Sequence, residues 1–199
     1  MHTNVNIKPA QRNECHALAV IYCKALPKSF LGTLGVPFLS LLFTALIEDK
    51  NCVVLSAKIN KIIIGFVCGA KNIDEFYSHF YRKNILKLIF ILFSKIINPY
   101  NFSKILENFL YPNKYNNQLP KAEFLSIALD PKFQGRNIGQ KLFGQFNIYM
   151  KRLGVEHYKI IVGSSLIQAN EYYIKMGCDK VGEIKVHKNE LSFIYTYTL

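Results

Sequence analysis

Apolar residues recur along the chain with two spacings, which predict strands and helices in alternation. Every second position predicts a strand, whereas positions three and four apart predict a helix. The first third of the chain then reads as a strand, two helices and an antiparallel hairpin, with a short helical piece at Ser29–Leu31 that Gly35 breaks from the second helix. The predicted ranges are Val5–Lys8, Ala10–Leu26, Phe38–Ile47, Asn51–Lys58 and Lys61–Ala70.

Two local features are expected within this first part. Ile59 and Asn60 are predicted to form the turn of the hairpin. Gly65 lies inside the second hairpin strand, where glycine indicates a bulge or the close approach of another backbone.

Residues 72–118 form a long stretch between two predicted strands, and their apolar pattern is helical, with a break at Asn98-Pro99. Ile85–Ile97 is nearly all apolar, but it is shorter than the roughly 20 residues that a membrane span requires. Three interpretations of this insertion, at about 74–112, are open. Its helices pack on the sheet, which is favoured, or they form a lid, a pocket wall or a dimer surface. The least favoured interpretation is a basic amphipathic helix on a membrane.

After the insertion, the pattern of residues predicts a strand, a loop of small residues and a helix in succession. The strand Ala122–Leu129 ends at Asp130-Pro131, and the helix Asn137–Leu153 stops at Gly154. The loop between them reads Gln134-Gly135-Arg136-Asn137-Ile138-Gly139. Such a loop directs unpaired N–H groups and the positive end of a helix dipole to one point, which favours a phosphate or pyrophosphate.

The last part of the chain predicts a strand, a helix and a closing hairpin. The strand Tyr158–Val162 is expected to run parallel to Ala122–Leu129. Ser164 or Ser165 is the predicted N-cap of the helix, and Gly177 its stop. The hairpin strands are Lys180–His187 and Leu191–Thr198.

The amino-acid composition indicates what kind of protein this is, where it acts and what it could bind. The 199 residues are 50% apolar and 19% charged, which indicates a folded chain and predicts one domain, 1–199. The five cysteines have no C-x-x-C spacing and the N-terminus is polar, so we expect a protein of a reducing cytoplasm without zinc or a secretory signal. The net charge of +12 suits nucleic acid, anionic lipid or a polyanionic cofactor.

The stretch LSIALDPKFQGRNIGQKLF resembles the acetyl-CoA motif Q/R-x-x-G-x-G/A of the GNAT acetyltransferase superfamily. Asn137 stands where the family has its first glycine, and Asn is the next most tolerant residue of positive φ. The resemblance implies an α/β (α+β) GNAT fold. This fold has a mixed, mostly antiparallel sheet with splayed parallel strands 4 and 5, helices on both faces, and here a helical insertion before strand 4. It also implies acetyl-CoA as acyl donor, and no metal.

The same resemblance implies two regions of contact with CoA. The loop N–H groups would bind the pyrophosphate, and the backbone of the preceding strand would bind the pantetheine arm between the splayed strands. The residues so implied are Ile127, Ala128, Leu129, Gln134, Gly135, Arg136, Asn137, Ile138, Gly139 and Gln140.

Glu123 is the candidate general base. Period-two alternation places it on the same face as Leu125, Ile127 and Leu129, where a carboxylate is costly unless paired and its pKa should rise. By resemblance it falls on the catalytic Glu of GNAT histone acetyltransferases. The alternative is a Glu at the exposed start of the strand, or one paired structurally with Lys or Arg, and both interpretations stay open.

Tyr173 is the candidate general acid. The stretch Ala169-Asn170-Glu171-Tyr172-Tyr173-Ile174-Lys175-Met176-Gly177 resembles the family's closing helix, A-x-x-x-Y-x-x-x-G-F, in which this tyrosine commonly protonates the leaving CoA thiolate. The aromatic that follows the family's glycine is Cys178 here, and the family's frequent early Asn is Leu166. Asn170, close to Tyr173, is therefore expected to contact CoA instead. The alternative for Tyr173 is a residue packed on the sheet.

Together these features predict an N-acetyltransferase that moves an acetyl group directly to a primary amine of a small molecule, with amino sugars as one candidate class. The partners expected are the amine acceptor and no nucleic acid, with membrane contact unfavoured, in a monomer or homodimer. Two alternatives are a non-catalytic CoA-binding or regulatory module, and a basic binder of nucleic acid or membrane surfaces.

Overall fold

The structure is a computed structural model, and it describes residues 5–93, 119–187 and 190–199. Seven strands and five helices follow one another in these ranges. The strands are β1 Asn6–Pro9, β2 Cys52–Ile59, β3 Ile62–Ala70, β4 Glu123–Leu129, β5 His157–Gly163, β6 Asp179–His187 and β7 Glu190–Thr198. The helices are α1 Cys15–Ala25, α2 Phe30–Glu48, α3 Ile73–Phe93, α4 Ile138–Arg152 and α5 Ile167–Lys175.

The seven strands form one mixed sheet in the order β1-β2-β3-β4-β5-β7-β6. Every neighbouring pair is antiparallel except β4 and β5, which are parallel through the crossover helix α4. The predicted fold class, with a mostly antiparallel sheet and helices on both faces, is confirmed.

Alternate residues of the strands enter two separate apolar cores, because successive side chains of a strand point to opposite faces. Phe66 of β3 packs with α1, α2 and α3 on one face. Its neighbour Val67 packs with α4 and α5 on the opposite face of the sheet. We call these the α1–α3 face and the α4–α5 face.

Helix α2 carries the kink expected at Gly35, whose φ of 81° is non-helical. By length and mean hydropathy, 2.1, α2 could also cross a membrane, and it is the one such helix among the described residues. Six of its side chains are buried in the core of the α1–α3 face, which a core helix of this composition also requires. They are Leu34, Phe38, Leu39, Leu42, Phe43 and Leu46.

The first part of the predicted insertion is the helix α3, which packs on α2. Phe80 meets Phe38 edge to face at 6.2 Å between ring centroids, and Phe76 stacks on Phe80 at 6.0 Å. The predictions for 94–112, including the break at Asn98-Pro99, lie outside the described residues.

Two local predictions are wrong. The hairpin turn is one residue later than expected, at Asn60 and Lys61, because both adopt positive φ, 49° and 71°, as a tight two-residue turn requires. Neither Ser164 nor Ser165 caps α5; the N-cap is Leu166, without a side-chain hydrogen bond. The stops at Gly154 and Gly177 are confirmed by their φ values of 73° and 83°.

Candidate functional site

The parallel strands β4 and β5 pair at one end and then separate. Glu123 is opposite Lys159 and Phe124 is opposite Ile160, and the pairing ends there. From Ser126 onward β4 stays paired to β3, whereas β5 stays paired to β7. The strands therefore splay, as expected, and open a gap between their carboxyl ends.

Two residues of β4 direct their backbone polar groups into this gap. The N–H of Asp130 donates to the carbonyl of Ile64 at 2.8 Å, so Asp130 belongs to the ladder with β3. Hydrogen-bonded pairs alternate along an antiparallel ladder. Ala128, opposite Phe66, therefore bonds to β3, and Ile127 and Leu129 face the gap.

This alternation removes Ala128 from the residues of β4 that were predicted to contact CoA through their backbone. The backbone of Ala128 is engaged with β3, so a ligand in the gap can reach the N–H and C=O groups of Ile127 and Leu129 but not those of Ala128. Gln134 also reaches back to this place, where its Nε2 donates to the carbonyl of Leu129 at 3.4 Å.

The loop that follows β4 presents its N–H groups to solvent. Gly135 and Asn137 both have positive φ, 74° and 58°, so Asn137 takes the left-handed conformation expected of it. Residues 134–137 are exposed, and Asn137 is the N-cap of α4. Among the described residues, none accepts a hydrogen bond from the N–H groups of Gly135 to Gln140. These donors lie at the positive end of the α4 dipole, which suits an anion.

Cationic side chains surround this loop. Arg136 lies over the ring of Phe133, with Cζ at 5.5 Å from the ring centroid, and Lys132 and Lys141 flank the loop in sequence. The Asp130 carboxylate before the loop has partners of its own, because it accepts from the N–H of Lys132 and lies 3.8 Å from Lys24 Nζ. The loop thus has the charge that a pyrophosphate requires.

Glu123 lies at the closed end of the gap, on the α1–α3 face. Leu125 is an extra residue of β4, since Cys68 is opposite Ser126 and Gly69 is opposite Phe124. This bulge changes the alternation of faces. Glu123 and Leu125 remain on the α1–α3 face, but Ile127 and Leu129 pack on the α4–α5 face. The prediction that all four share one face is therefore wrong.

The carboxylate of Glu123 has a cationic partner. Its Oε2 lies 3.5 Å from Nζ of Lys159, and the two side chains are 15% and 7% exposed. Burial raises the pKa of Glu123, Lys159 lowers it in part, and Asp74 of α3 raises it further. The predicted rise in pKa is present, and so is the pairing with a lysine that was the alternative interpretation.

Tyr173 is buried between α5 and the sheet. Its ring packs edge to face on Phe124 at 5.7 Å, and it also contacts Tyr195. Burial raises the pKa of its phenol, and neighbouring groups raise it further, among them Cys68 and Tyr22 of the opposite face. The hydroxyl therefore stays protonated at neutral pH, which a general acid requires.

Asn170 has a structural role in this arrangement. Its Nδ2 donates to the carbonyls of Gly163 and Leu166, at 3.0 and 2.9 Å, and its Oδ1 accepts from the hydroxyl of Tyr195 at 2.9 Å. The amide is buried and both ends are satisfied within the chain, so the structure gives no support to its predicted contact with CoA.

The sequence reasoning missed two residues of this region. Lys159 is a charged residue between the apolar residues of the strand HYKIIVG, and this charge in an apolar stretch was the available signal. Tyr172 precedes the predicted acid, and its hydroxyl is buried against Gly139 with no hydrogen-bond partner among the described residues. Nothing in the sequence distinguishes it from a packing residue.

Two other features lie apart from this region. A cleft of about 260 Å³ at the outer edge of β2 is lined by residues such as Leu46, Val53 and Tyr149, and by none of the predicted site residues. Within the described ranges there is no group of three or more His, Cys, Asp or Glu that could hold a metal ion.

Comparison by sequence finds no matching family model and no matching curated protein. Comparison by structure finds many acetyltransferases. The ribosomal-protein-S18-alanine N-acetyltransferase of Escherichia coli has a TM-score of 0.60 at 13% identity over 98% of this chain and 94% of that one. The PaiA N-acetyltransferase of Thermoplasma acidophilum, in complex with coenzyme A, has a TM-score of 0.62 at 13% identity over 98% and 99%.

An acetyltransferase of the GNAT family from Streptococcus pneumoniae is similar to the same degree. Its TM-score is 0.61 at 13% identity over 98% of this chain and 100% of that one. These likenesses extend over nearly the whole chain. The chain therefore has the fold of the GNAT N-acetyltransferases.

Proposed function

We propose that this protein is an acetyl-CoA-dependent N-acetyltransferase that transfers an acetyl group directly to a primary amine. The observation that carries the proposal is the juxtaposition of the open gap between β4 and β5 with the N–H groups of Gly135 to Gln140, from which no described residue accepts a hydrogen bond. A long thioester cofactor with an anionic end requires both features, a slot for its arm and a cradle for its phosphates.

In this proposal the chain holds CoA at two places. The N–H groups from Gly135 to Gln140 bind the pyrophosphate, with Arg136 and Gln134 beside them. The backbone groups of Ile127 and Leu129 bind the amides of the pantetheine arm in the gap, as an added strand would. Bound acetyl-CoA supplies the activated acetyl group.

Glu123 and Tyr173 then perform the proton transfers. Glu123, directly or through a water molecule, takes a proton from the acceptor ammonium, which frees the nitrogen lone pair to attack the thioester carbonyl. A strand N–H that faces the gap, that of Ile127, polarises the carbonyl oxygen. Tyr173 donates its proton to the departing sulfur. The reaction so described needs no covalent enzyme intermediate.

The acceptor is proposed to be a small molecule with a primary amine, and amino sugars are the first class to test. One structural neighbour is named for its action on alanine of a ribosomal protein. A peptide with a free N-terminus therefore belongs in the same screen. All five cysteines are free thiols, which fits the proposed cytoplasmic location.

Two other functions make different predictions. A non-catalytic module would bind CoA, but its Glu123→Gln and Tyr173→Phe variants would not change the slow turnover of acetyl-CoA. A binder of nucleic acid or anionic membranes would show binding that weakens steeply with salt.

The first experiment is a calorimetric titration with acetyl-CoA and CoA of the native protein and two variants. Gly139→Glu places a carboxylate in the first turn of α4, among the proposed phosphate donors. Gly144→Glu places the same charge at an exposed position of the same helix, where a side chain meets no atom within 4 Å. We expect Gly139→Glu to weaken binding by about tenfold or more, equivalent to about 1.4 kcal/mol, and Gly144→Glu to have little effect.

The outcomes separate the alternatives. Binding that only Gly139→Glu abolishes supports the cofactor site and opens the screen of amines. Equal effects of both variants would mean that net charge, not the loop, governs binding. A folded native protein that binds neither ligand would contradict the proposed function.

A further inference from the structure

The ion pair between Glu123 and Lys159 lies at the position where the splayed strands part. The two residues are directly opposite each other in the short parallel ladder, next to the pair Phe124 and Ile160. Opposite residues of paired strands project to the same face. Both side chains therefore lie on the α1–α3 face, at the closed end of the gap.

Lys159 is anchored independently of Glu123. Its Nζ donates to the carbonyl of Pro120 at 2.7 Å, and its backbone N–H donates to the carbonyl of Ala122 at 2.9 Å. The side chain is 7% exposed, so its ammonium group has lost most of its hydration. These bonds fix the position of the ammonium group 3.5 Å from the Glu123 carboxylate.

The other ionisable groups around Glu123 do not favour its charge. Asp74 in the first turn of α3 is a second carboxylate, and it raises the pKa of Glu123 further. Tyr77, about one turn further along α3, is a phenol whose pKa is raised by burial first and then by neighbouring groups, among them Tyr81 and Glu123. Among the described residues, Lys159 of β5 is the one cation within ion-pair distance of Glu123. A buried carboxylate without a cation takes up a proton instead of staying charged.

We propose that Lys159 is a positioning residue of the reaction, which keeps the Glu123 carboxylate ionised and directed toward the gap so that it can accept a proton from the acceptor. This inference rests on the proposed function, in which Glu123 is the base. It gives Lys159 a role beyond structure: the ammonium group sets the lowest pH at which the base is available.

Three substitutions separate the effect of the Lys159 charge from that of its hydrogen bond to Pro120. Lys159→Gln removes the charge but keeps an N–H donor for the carbonyl of Pro120. Lys159→Met removes both, and Lys159→Arg keeps the charge. If the charge matters, the Gln and Met variants behave alike and the Arg variant resembles the native protein.

The test is a carboxyl NMR titration of protein labelled with ¹³C-glutamate, with the Glu123 signal assigned from Glu123→Gln. We expect Glu123 of the native protein to be ionised at pH 7. We expect its midpoint to rise by about one unit or more in the Gln and Met variants and to return toward the native value in Lys159→Arg. An unchanged midpoint in both neutral variants would overturn the inference.

Two further measurements complete the design. If neither neutral variant folds, the titration of the native protein still tests the inference, because a Glu123 that is protonated at pH 7 contradicts it. A calorimetric titration with CoA separates this inference from the proposed function, since Lys159 is not part of the loop and all variants should bind CoA as the native protein does. Failure of the native protein to bind CoA would contradict the proposed function and leave the NMR result on the pair valid.

When an acceptor has been found, the acid limb of kcat/KM against pH gives the functional readout. It should move to higher pH in Lys159→Gln by the same amount as the NMR midpoint. A lower rate with an unmoved limb would indicate a merely structural role for Lys159 and overturn the inference.

Discussion

The hydroxyl oxygen of Tyr172 lies 3.6 Å from the position that a β-carbon on Gly139 would occupy, and no described residue forms a hydrogen bond with it. The ring is held edge to face against Phe143, at 6.3 Å between centroids. A buried hydroxyl without a partner has lost its hydrogen bonds to water, and no hydrogen bond within the protein replaces them. The helices α4 and α5 therefore meet around an unsatisfied polar atom.

Tyr172→Phe should stabilise the free protein, because it removes this atom and keeps the ring. We expect the free energy of unfolding to rise by about 1 kcal/mol, measured by urea denaturation. Tyr158→Phe is the matched control, since that hydroxyl donates to Oδ1 of Asn147 at 2.7 Å and its loss should destabilise by a similar amount. Equal destabilisation by both variants would show that Tyr172 has a partner in solution.

Asn137 holds the loop before α4 in a left-handed conformation, with φ at 58°. Asn137→Gly should keep the conformation without strain and bind CoA at least as tightly as the native protein. Asn137→Ala should destabilise by about 1 kcal/mol and weaken binding, because a β-carbon disfavours positive φ. Calorimetry with CoA and urea denaturation check both expectations. Binding by the Ala variant equal to that of the Gly variant would contradict the need for this conformation.

Tyr173 should matter to catalysis and not to CoA affinity, if its phenol is the proton donor. Tyr173→Phe keeps the ring that packs on Phe124, so we expect an unchanged Kd for CoA. We expect kcat to fall by about 10² or more, which is the usual contribution of a general acid. Stopped assays of CoA release at saturating acceptor provide the measurement. A turnover equal to that of the native protein would favour the non-catalytic module.

The loop Gln134–Gly139 was predictable because its conformation is decided locally. Glycine, a left-handed Asn and an amphipathic helix are adjacent in sequence, and each one is expected from the chemistry of its own residue. The order of elements along the chain followed from the apolar pattern, and the parallel pairing of β4 and β5 followed from that pattern together with the resemblance to GNAT proteins. The kink at Gly35 belongs to the same class of local features.

The face of Glu123 could not be predicted, because it depends on a bulge. Leu125 is a bulge residue because it has no partner in β3. The register between β3 and β4, which are about 55 residues apart in sequence, is a tertiary property that the local sequence does not determine. The partner Lys159 was hidden for the same reason, since its place opposite Glu123 exists only in the parallel ladder. The alternation of side chains assigns residues to the correct face of the sheet up to the first bulge, and to the opposite face beyond it.

Gly65 of β3 allows the backbone of β4 to approach closely. A β-carbon there would lie 2.7 Å from the carbonyl oxygen of Ala128 and would overlap Cδ2 of Leu129, so the strands would have to separate. We expect Gly65→Ala to destabilise by about 2 kcal/mol, measured by urea denaturation. Gly144→Ala, in the open interior of α4, should instead stabilise by about 0.5–1 kcal/mol. A neutral Gly65→Ala would contradict the close approach.

Glu14 joins the start of α1 to β2 through a buried polar cluster. Its carboxylate is paired with Lys58, accepts from Ser56 Oγ at 2.9 Å and accepts from the N–H of Gln11 at 3.1 Å. Burial raises the pKa of Glu14, but the hydrogen bonds from Lys58, Gln11 and Ser56 outweigh it, so the pKa is below its usual value. The ionised form of Glu14 is therefore favoured by folding.

Glu14→Gln should cost about 1–3 kcal/mol of unfolding free energy at pH 7, because it leaves buried partners poorly satisfied. A lowered folded pKa gives stability that is fully present above the unfolded pKa, about 4.3, and is lost as the pH falls through the folded pKa. The difference between native protein and variant should thus be constant from pH 7 to about 5 and shrink below pH 4. Glu48→Gln, which breaks the exposed pairs with Arg12 at 3.2 Å and Lys83 at 3.5 Å, should cost little at any pH. A native-to-variant difference for Glu14 that does not change between pH 7 and 3 would contradict the assigned direction of its pKa.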